Sequence, residues 1–501
     1  MLKSHIIVNR DFILAPLDRR IFGTFVEHMG RCVYGGIYET GHPTADAHGF
    51  RQDVLALTRE LGATMVRYPG GNFLSGYNWE DGVGPKENRP RRLDLAWGST
   101  ETNAFGTNEF LTWCRAAHVE PMLAVNLGTR GLDAARALIE YCNHPGGTER
   151  SELRRSHGFE APHGVKLWCL GNEMDGPWQI GHKRAAEYGR IARETAKVMR
   201  WVDPTVELTA CGSSNHGMPT YAHWEQEVLE HCFESVDFIS LHQYFRNDAD
   251  DLRNYFAVIE DLEAFIREVV AIADAVAAKR RSRKRIMLSL DEWNVWYKAH
   301  TPADLRKPGW PVAPRLIEEV YNVEDSLIVG GVLITLMNNA DRVKAACLAQ
   351  LVNVIGAIMT EPGGPAWRQT IFHPFALAAR FGRGNVLRTH VRTDSYSTSV
   401  HPKVDWLLAS VLHDAESGRA CVFALNRSEE RMELSVDLQD LSSRKLTYAR
   451  TLHHPDLKAT NSRVAPDTLA PAEQRDAAVK GSRLQATLAP LSWSVLVTEP
   501  S

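Results

Sequence analysis

The chain lacks several features that define common functional classes. Its 501 residues carry 57 Lys and Arg against 61 Asp and Glu, a net charge of −4, so no basic excess is available to hold a phosphate backbone. No apolar run approaches the roughly 18 residues of a membrane span, and the first residues do not form a signal peptide. We therefore expect no nucleic-acid partner, no membrane association and a cytoplasmic location.

Motifs for metals and nucleotide cofactors are also missing. The eight cysteines are scattered without CxxC spacing, and the 20 histidines include no HExxH pattern. Neither a GxGxxG fingerprint nor a Walker loop occurs. These absences predict reduced thiols, no metal site and no nucleotide cofactor.

The residues that are present suit a globular protein, with 44% hydrophobic and 24% charged side chains. The 13 Trp and 13 Tyr are less ordinary. Flat amphipathic rings stack on sugars, but they also fill protein cores, so their number alone does not decide between these uses.

Eight short apolar runs recur through the first two thirds of the chain. They are continuous rather than alternating, which is typical of strands buried on both faces of a parallel sheet. The runs cover residues 23–27, 64–68, 121–126, 165–170, 206–210, 236–241, 285–290 and 332–336.

Helical periodicity fills most of the intervals between these runs. Apolar residues three and four apart indicate helices at 53–61, 108–117, 132–141, 184–201 and 255–278. The alternation predicts an α/β fold with a (β/α)8 TIM barrel over residues 17–383. An open doubly wound sheet is the alternative, and it would be expected to carry the missing glycine fingerprint.

The pattern changes after about residue 384. Strand-like segments at 406–411, 420–425, 432–436, 484–488 and 494–497 follow without helical periods, which indicates a C-terminal antiparallel β-sandwich, jelly-roll-like, over residues 384–501. Residues 1–16 contain two short apolar runs, at 6–8 and 12–14, and we expect these to add a strand or two to this sandwich, so that the barrel is inserted within it.

Polar side chains follow the predicted barrel strands. Barrel enzymes place their chemistry at these carboxyl ends, and amides, carboxylates and aromatic rings suit a neutral ligand with many hydroxyl groups. The side chains are Glu27, His28, Arg67, Asn72, Asn126, Asn172, Glu173, Ser213, Ser214, His242, Gln243, Tyr244, Asp291, Glu292, Trp293, Asn294, Asn338 and Asn339.

Two glutamates stand out among them. Glu173 follows the fourth run and Glu292 the seventh, and these strands lie across the mouth of a barrel from each other. Cleavage of a glycosidic bond needs one carboxylic acid to protonate the leaving oxygen and a second carboxylate beside the anomeric carbon. A single loop glutamate is usually a solvated surface residue, but two at opposed strand ends favour a catalytic pair.

The blocks around these glutamates are recognisable. The motifs at 171–173 and 291–294 resemble those of a clan of barrel glycosidases whose acid/base follows an Asn on the fourth strand. Longer blocks are similar to the α-L-arabinofuranosidases of glycoside hydrolase family 51, from about residue 5 to the C-terminus, and match least at 298–310 and 460–480. These blocks are residues 25–31, 34–39, 67–73, 76–85, 168–182, 240–244 and 347–353.

The resemblance implies a retaining, exo-acting hydrolase with a covalent arabinosyl-enzyme. Glu173 would be the general acid/base and Glu292 the nucleophile, with carboxyl groups about 5 to 5.5 Å apart. Arg67 would keep Glu292 ionised, and Asn172 would bind the sugar 2-hydroxyl. The remaining hydroxyls and the ring would be held by Glu27, Asn72, Tyr244 and Gln350.

Other residues receive less defined roles from the same resemblance. His242 would tune one of the catalytic glutamates or serve the structure alone. Trp97 and Trp178 would wall the leaving-group side or pack as core residues, and Trp296 would lie near the sugar. The long segment 72–106 would cap the pocket and favour chain ends.

The resemblance also implies a cytoplasmic homo-oligomer, often a hexamer, that acts on small oligosaccharides without a cofactor. Alternatives within the same clan are a β-xylosidase or an endoglucanase. A non-catalytic sugar-binding barrel is the alternative from another class, although binding alone needs no opposed carboxylates.

Overall fold

The computed structural model describes residues 1–297, 308–441 and 444–501. The segment 298–307, which forms most of one of the two segments that resemble the family least, lies outside the described residues.

Eight parallel strands close into a barrel in chain order, which confirms the TIM-barrel prediction and excludes the open sheet. Every neighbouring pair is parallel, and nearly all of their residues are buried, as the continuous apolar runs require. We call them barrel strands 1 to 8, and they are Gly23–Phe25, Met65–Tyr68, Glu120–Val125, Leu167–Leu170, Glu207–Ala210, Phe238–Phe245, Met287–Val295 and Val343–Leu348.

The predicted eighth strand at 332–336 is wrong. Those residues lie inside the helix Val323–Asn338, of which nearly every residue is buried. A helix that is buried on all sides shows a continuous apolar sequence, which a short window does not distinguish from a buried strand. Barrel strand 8 is the next apolar segment along the chain, Val343–Leu348.

Nine α-helices occur in the described residues, and all five predicted helices are among them. Local signals set their ends: the Glu109 carboxylate accepts the Gly106 N–H at 3.0 Å, and His118 ends that helix in the left-handed conformation. The helices are Gln52–Leu61, Thr107–Ala117, Leu132–Asn143, Glu149–Ser156, Ala185–Val202, His223–Cys232, Leu252–Arg280, Val323–Asn338 and Phe372–Phe381.

Two larger sheets form the C-terminal region, and both include an N-terminal strand. Leu2–Ile7 runs parallel to Met432–Asp437, and Ile13–Pro16 runs antiparallel to Asn385–Leu387. The strands of the seven-stranded sheet, in the order in which they lie side by side, are Ile13–Pro16, Asn385–Leu387, Leu407–His413, Ala420–Asn426, Ser492–Pro500, Arg444–Leu452 and Ala472–Glu473. Those of the five-stranded sheet are His390–Arg392, Leu2–Ile7, Met432–Asp437, Arg483–Leu488 and Ala478–Lys480.

The segment between barrel strand 2 and the helix Thr107–Ala117 folds over the barrel mouth. It contains a hairpin of Arg92–Asp94 and Ser99–Glu101, which we call the lid hairpin. The Glu101 carboxylate joins this hairpin to the barrel, since it lies 2.8 Å from His28 Nδ1 and accepts the hydroxyl of Tyr34. Two further small pairs are Ile358–Thr360 with Ala366–Arg368 and Ser395–Tyr396 with Val404–Asp405.

None of the helices formed by the described residues has the length and apolar composition needed to span a bilayer. All eight cysteines are buried and carry free thiols.

Candidate active site

Glu292 lies on barrel strand 7, and both of its carboxylate oxygens are occupied. Arg67 Nη1 on barrel strand 2 donates to Oε2 at 3.0 Å, and the Tyr244 hydroxyl donates to Oε1 at 2.6 Å. His242 Nδ1 lies 3.4 Å from Oε2. Two donors, one of them a permanent cation, therefore hold both oxygens of this carboxylate in place.

Glu173 lies in the turn after barrel strand 4, with a left-handed backbone at φ 42°. Its Oε1 is 3.0 Å from His242 Nδ1, and its Oε2 accepts the Trp178 indole N–H at 2.6 Å. Trp178 is 47% exposed, so this side of Glu173 is open to a ligand. A Cβ at Gly176 would lie 2.6 Å from the Trp178 ring, so this residue must be glycine for the indole to fold back onto Glu173.

The two carboxylates face each other across the mouth. An oxygen of Glu173, one of Glu292 and His242 Nδ1 all lie within 4.8 Å of one another. Both glutamates are about nine-tenths buried, which leaves one edge of each accessible from the mouth. This spacing suits attack and protonation on one small bond held between them.

Arg67 connects the two glutamate-bearing strands. Its Nη2 donates to Asn172 Oδ1 at 2.5 Å, and its guanidinium stacks on Phe25 with 4.7 Å to the ring centroid. Burial opposes the charge of Arg67, but Asp291 and Glu292 outweigh burial and raise its pKa well above the usual value. Asn172 Nδ2 is buried and has no hydrogen-bond partner among the described residues, so a donor is left over beside the carboxylates.

Glu27 is a third buried carboxylate near Glu292. Its Oε1 accepts the Trp97 indole N–H at 2.9 Å and the Phe73 N–H at 3.0 Å, and its Oε2 accepts from Gln350 Nε2 at 3.2 Å. Burial raises the pKa of Glu27 to about 8 against the effect of the Phe73 N–H, and nearby Glu292 raises it further. Trp97 belongs to the lid hairpin, so this hairpin contacts Glu27 directly.

The structure brings the predicted site residues to one end of the barrel. Trp296 packs edge-on against Tyr244, with ring centroids 5.1 Å apart, and Asn72 is half-buried where a short 3-10 helix begins after barrel strand 2. Gln350 follows the true barrel strand 8 and also accepts the Glu27 N–H.

Two residues expected at a strand end lie elsewhere, and a third, although expected at a strand end, was given no specific role. Asn338 and Asn339 end a helix on the opposite side of the barrel, where they bind the Ala409 carbonyl and Glu263. Asp291 received no role from the sequence, yet it is fully buried and its Oδ1 lies 2.9 Å from His242 Nε2. Its only sequence signal is its place beside Glu292.

Glu173, His242 and Glu292 have the spacing of metal ligands. Their near atoms are already hydrogen-bonded to protein groups, and Arg67 holds a positive charge 3.0 Å from Glu292. A cation would have to displace these contacts beside the guanidinium, so this donor set does not fit a metal ion.

Known proteins share this architecture. A family model described as the α-L-arabinofuranosidase 1 domain matches residues 57–256, and one described as the α-L-arabinofuranosidase C-terminal domain matches residues 291–492. The chain is 54% identical to an intracellular exo-α-(1→5)-L-arabinofuranosidase of Bacillus subtilis, and 49% identical to an exo-α-(1→6)-L-arabinofuranosidase of Bifidobacterium longum. The first match covers 99% of both chains, and the second covers 99% of this chain and 97% of the relative.

A solved family 51 α-L-arabinofuranosidase from Bifidobacterium longum superposes with a TM-score of 0.95 at 43% identity, over 99% of each chain. Sequence, fold and the opposed glutamates agree, and the resemblance seen in the sequence is confirmed. The chain belongs to the α-L-arabinofuranosidases of glycoside hydrolase family 51.

Proposed function

We propose that this protein removes terminal non-reducing α-L-arabinofuranosyl residues from small arabinan and arabinoxylan oligosaccharides, with retention of anomeric configuration. One observation carries the proposal. Two carboxylates with oxygens within 4.8 Å of each other flank a single small space, and their surroundings differ. The separation suits direct attack by one carboxylate, because an inverting enzyme needs about 6.5 to 9.5 Å to admit a water.

The surroundings of the two glutamates indicate which one is the nucleophile and which one is the general acid/base. Glu292 is held by Arg67 and Tyr244 on the inner side, and its carboxylate attacks the anomeric carbon as the bond to the leaving oxygen breaks. Glu173 gives its proton to that oxygen, so the aglycone leaves as an alcohol. In the second step Glu173 takes a proton from water, the water oxygen binds the anomeric carbon, and the ester to Glu292 breaks.

Neighbouring groups hold the sugar for these steps. The unused Nδ2 of Asn172 is placed to donate to the 2-hydroxyl, a contact that strengthens as charge develops at the anomeric carbon. Asn72, Glu27 and Gln350 line the far side of the pocket and bind the other hydroxyls. The two carboxylates supply all the proton and covalent chemistry, so the reaction needs no cofactor.

The closed end of the pocket supports exo action. Glu27 is only 2% exposed, and Trp97 of the lid hairpin covers it. A further contact holds the lid hairpin in place, since Thr100 donates its N–H to Pro311 O at 3.1 Å. A polysaccharide chain has no exit past this wall, so the bound arabinosyl unit must be a chain end or a side branch.

Trp178 supports an aglycone site on the open side. Its exposed ring is a platform for the next sugar, but its indole N–H occupies the Glu173 oxygen that faces that side. Binding of an aglycone must release this hydrogen bond before Glu173 can act on the glycosidic oxygen.

Initial rates on aryl α-L-arabinofuranoside and aryl β-xyloside test the specificity. We expect the arabinofuranoside to be faster by orders of magnitude, with arabinose released singly from arabino-oligosaccharides. Preference for the xyloside, or cleavage within chains, would support the β-xylosidase or endoglucanase alternative. Absence of turnover with retained sugar binding would support the non-catalytic barrel.

The relatives are named for (1→5) and (1→6) activities, and we propose (1→5)-linked arabinan oligosaccharides as preferred substrates, which a panel of linked disaccharides tests. The first of these relatives is named intracellular, which supports a cytoplasmic location and action on imported oligosaccharides. We propose a homo-oligomer, a hexamer, to be tested by light scattering in solution.

A further inference from the structure

His242 on barrel strand 6 lies at the centre of a buried chain of ionisable groups. Its Nε2 is 2.9 Å from Asp291 Oδ1, and its Nδ1 lies 3.0 Å from Glu173 Oε1 and 3.4 Å from Glu292 Oε2. The imidazole is 2% exposed, so both ring nitrogens interact with carboxylates in the absence of bulk water. A ring that donates to carboxylates at both nitrogens carries two protons and a positive charge.

A β-bulge allows this arrangement. Successive residues of a strand normally point to opposite faces, so Asp291 and Glu292 would not both reach one imidazole. The register of barrel strands 6 and 7 pairs Ser240 with Ser289 but His242 with Glu292, so strand 7 holds one extra residue there. The bulge turns both carboxylates towards His242.

The charges around His242 balance only if one carboxyl keeps its proton. Arg67 and a protonated His242 supply two positive charges, and Asp291 and Glu292 supply two negative charges. Burial disfavours the charged ring, but Glu292, Asp291 and Glu173 outweigh it and raise the pKa of His242 to about 10. With Glu173 protonated, as an acid catalyst must be, the buried group is neutral overall.

The buried thiols and the Tyr244 phenol at this face leave the count unchanged, as does Glu27, because burial raises its pKa to about 8 and keeps it protonated below that pH. Burial raises the pKa of the Cys211 thiol to about 12 and those of Cys169 and Cys347 well above their usual value, so these thiols stay neutral. Burial and Glu292 likewise keep the Tyr244 phenol protonated, since they raise its pKa well above the usual value. Burial also opposes the charge of Asp291, but Arg67 and His242 outweigh it and lower its pKa.

The buried group around His242 stays neutral overall during the proposed first step of the reaction. When Glu292 becomes an ester it loses its negative charge, and Glu173 gains one as it gives up its proton. The negative charge therefore moves from one side of His242 Nδ1 to the other, between positions 3.4 and 3.0 Å away.

We propose that Asp291 is a positioning residue that keeps His242 doubly protonated, so that its Nδ1–H follows the negative charge from Glu292 to Glu173 and back during each turnover. This role rests on the proposed double-displacement function. Asp291 touches no sugar; it acts through the ring, whose Nε2–H it accepts.

The pH dependence of kcat/KM in Asp291→Asn tests this role. Asparagine keeps an acceptor for Nε2–H but removes the charge, so ring orientation is retained while the pKa of His242 falls and its positive charge is weakened. Because a weaker positive charge then lies beside the two catalytic carboxyl groups, we expect the acidic and basic limbs of the pH profile to move up together by about one pH unit. KM should change less than twofold. A uniform loss of rate with unmoved limbs would show that Asp291 is merely structural and would overturn the proposal.

A second measurement needs no activity. In the wild-type protein labelled with ¹⁵N-histidine, the His242 resonances, assigned by their loss in His242→Asn, should show two protonated ring nitrogens at pH 8. A neutral ring at that pH would overturn the proposal even if Asp291→Asn failed to fold. Failure of the proposed function would appear separately, as a wild-type protein inactive on aryl α-L-arabinofuranoside.

Asp325→Asn is the matched control. Asp325 is also fully buried, but it accepts hydroxyl groups from Tyr255 and Tyr297 at the start of the helix Val323–Asn338. Loss of this buried carboxylate should lower stability and leave both limbs of the pH profile in place. An equal shift of the limbs in this variant would contradict the specific role of Asp291.

Discussion

Replacement of Glu27 by Gln should stabilise the protein in a pH-dependent manner. Burial raises the pKa of Glu27 from 4.5 to about 8, so between these values the folded state holds a proton that the unfolded chain releases. The free energy of unfolding contributed by Glu27 therefore falls as pH rises from about 4.5 to 8. Glutamine does not titrate, so the stability of Glu27→Gln relative to wild type should increase across this window.

The size of the gain follows from the two pKa values. Their difference corresponds to at most about 5 kcal/mol at pH 8. The new amide faces Gln350 Nε2, which donates to the present carboxylate at 3.2 Å, and this lost hydrogen bond offsets roughly 1 to 3 kcal/mol at every pH. We expect a net gain of about 2 to 4 kcal/mol at pH 8 and a neutral or negative effect at pH 5.

Urea unfolding of both proteins at pH 5 and pH 8 measures this effect. Glu101→Gln is the control, and we expect its stability relative to wild type to change with pH in the opposite direction. Burial opposes ionisation of Glu101, but His28 and the hydrogen bond from Tyr34 outweigh burial and lower its pKa. Its carboxylate therefore stabilises the fold above about pH 4.5 and ceases to do so as pH falls further, so this variant should lose more stability at pH 8 than at pH 4. A pH-independent difference for Glu27→Gln would refute the reasoning.

Three further predictions concern catalysis. Glu173→Ala should lose far more kcat/KM on substrates with poor leaving groups than on nitrophenyl arabinofuranoside, since only the former need an acid; equal losses would contradict its role. Asn172→Ala should lower kcat/KM about 10- to 100-fold by removing the free Nδ2 donor, and the loss should vanish on a 2-deoxy substrate; a persistent loss would place the contact elsewhere. Trp178→Phe should raise KM for arabino-oligosaccharides more than for aryl substrates with small aglycones. An equal rise for both substrates would show that Trp178 does not bind the aglycone.

The barrel and most of its strands were predictable because buried parallel strands have a simple sequence signature. Seven apolar runs correspond to barrel strands 1 to 7, and five periodic segments correspond to helices. The signature failed at residues 332–336, where a helix buried on all sides has the same composition as a buried strand. It also missed Arg444–Leu452, because only three of its nine residues are buried and its apolar alternation is weak.

Those active-site residues were predictable whose position follows from the order of the barrel strands. Glu173 and Glu292 were found because each follows a buried strand and barrel geometry brings strand ends together. Asp291 follows the same apolar run but received no role, since regular alternation would turn its side chain away from that of Glu292. A bulge that sequence periodicity does not reveal brings it to His242, 49 residues away in the chain. Trp97 was expected to wall the leaving-group side or to pack in the core, whereas it donates its indole N–H to Glu27, a contact that depends on how the lid hairpin folds.

The stereochemistry of transfer to methanol tests the central claim most directly. With aryl α-L-arabinofuranoside in aqueous methanol, a covalent intermediate on Glu292 that is opened from the opposite face gives methyl α-L-arabinofuranoside, which ¹H NMR distinguishes from its anomer and which does not mutarotate. The account predicts this α product alone, and its loss in Glu292→Ala. Formation of the methyl β-L-arabinofuranoside, or unchanged turnover without Glu292, would contradict the assignment of the two glutamates.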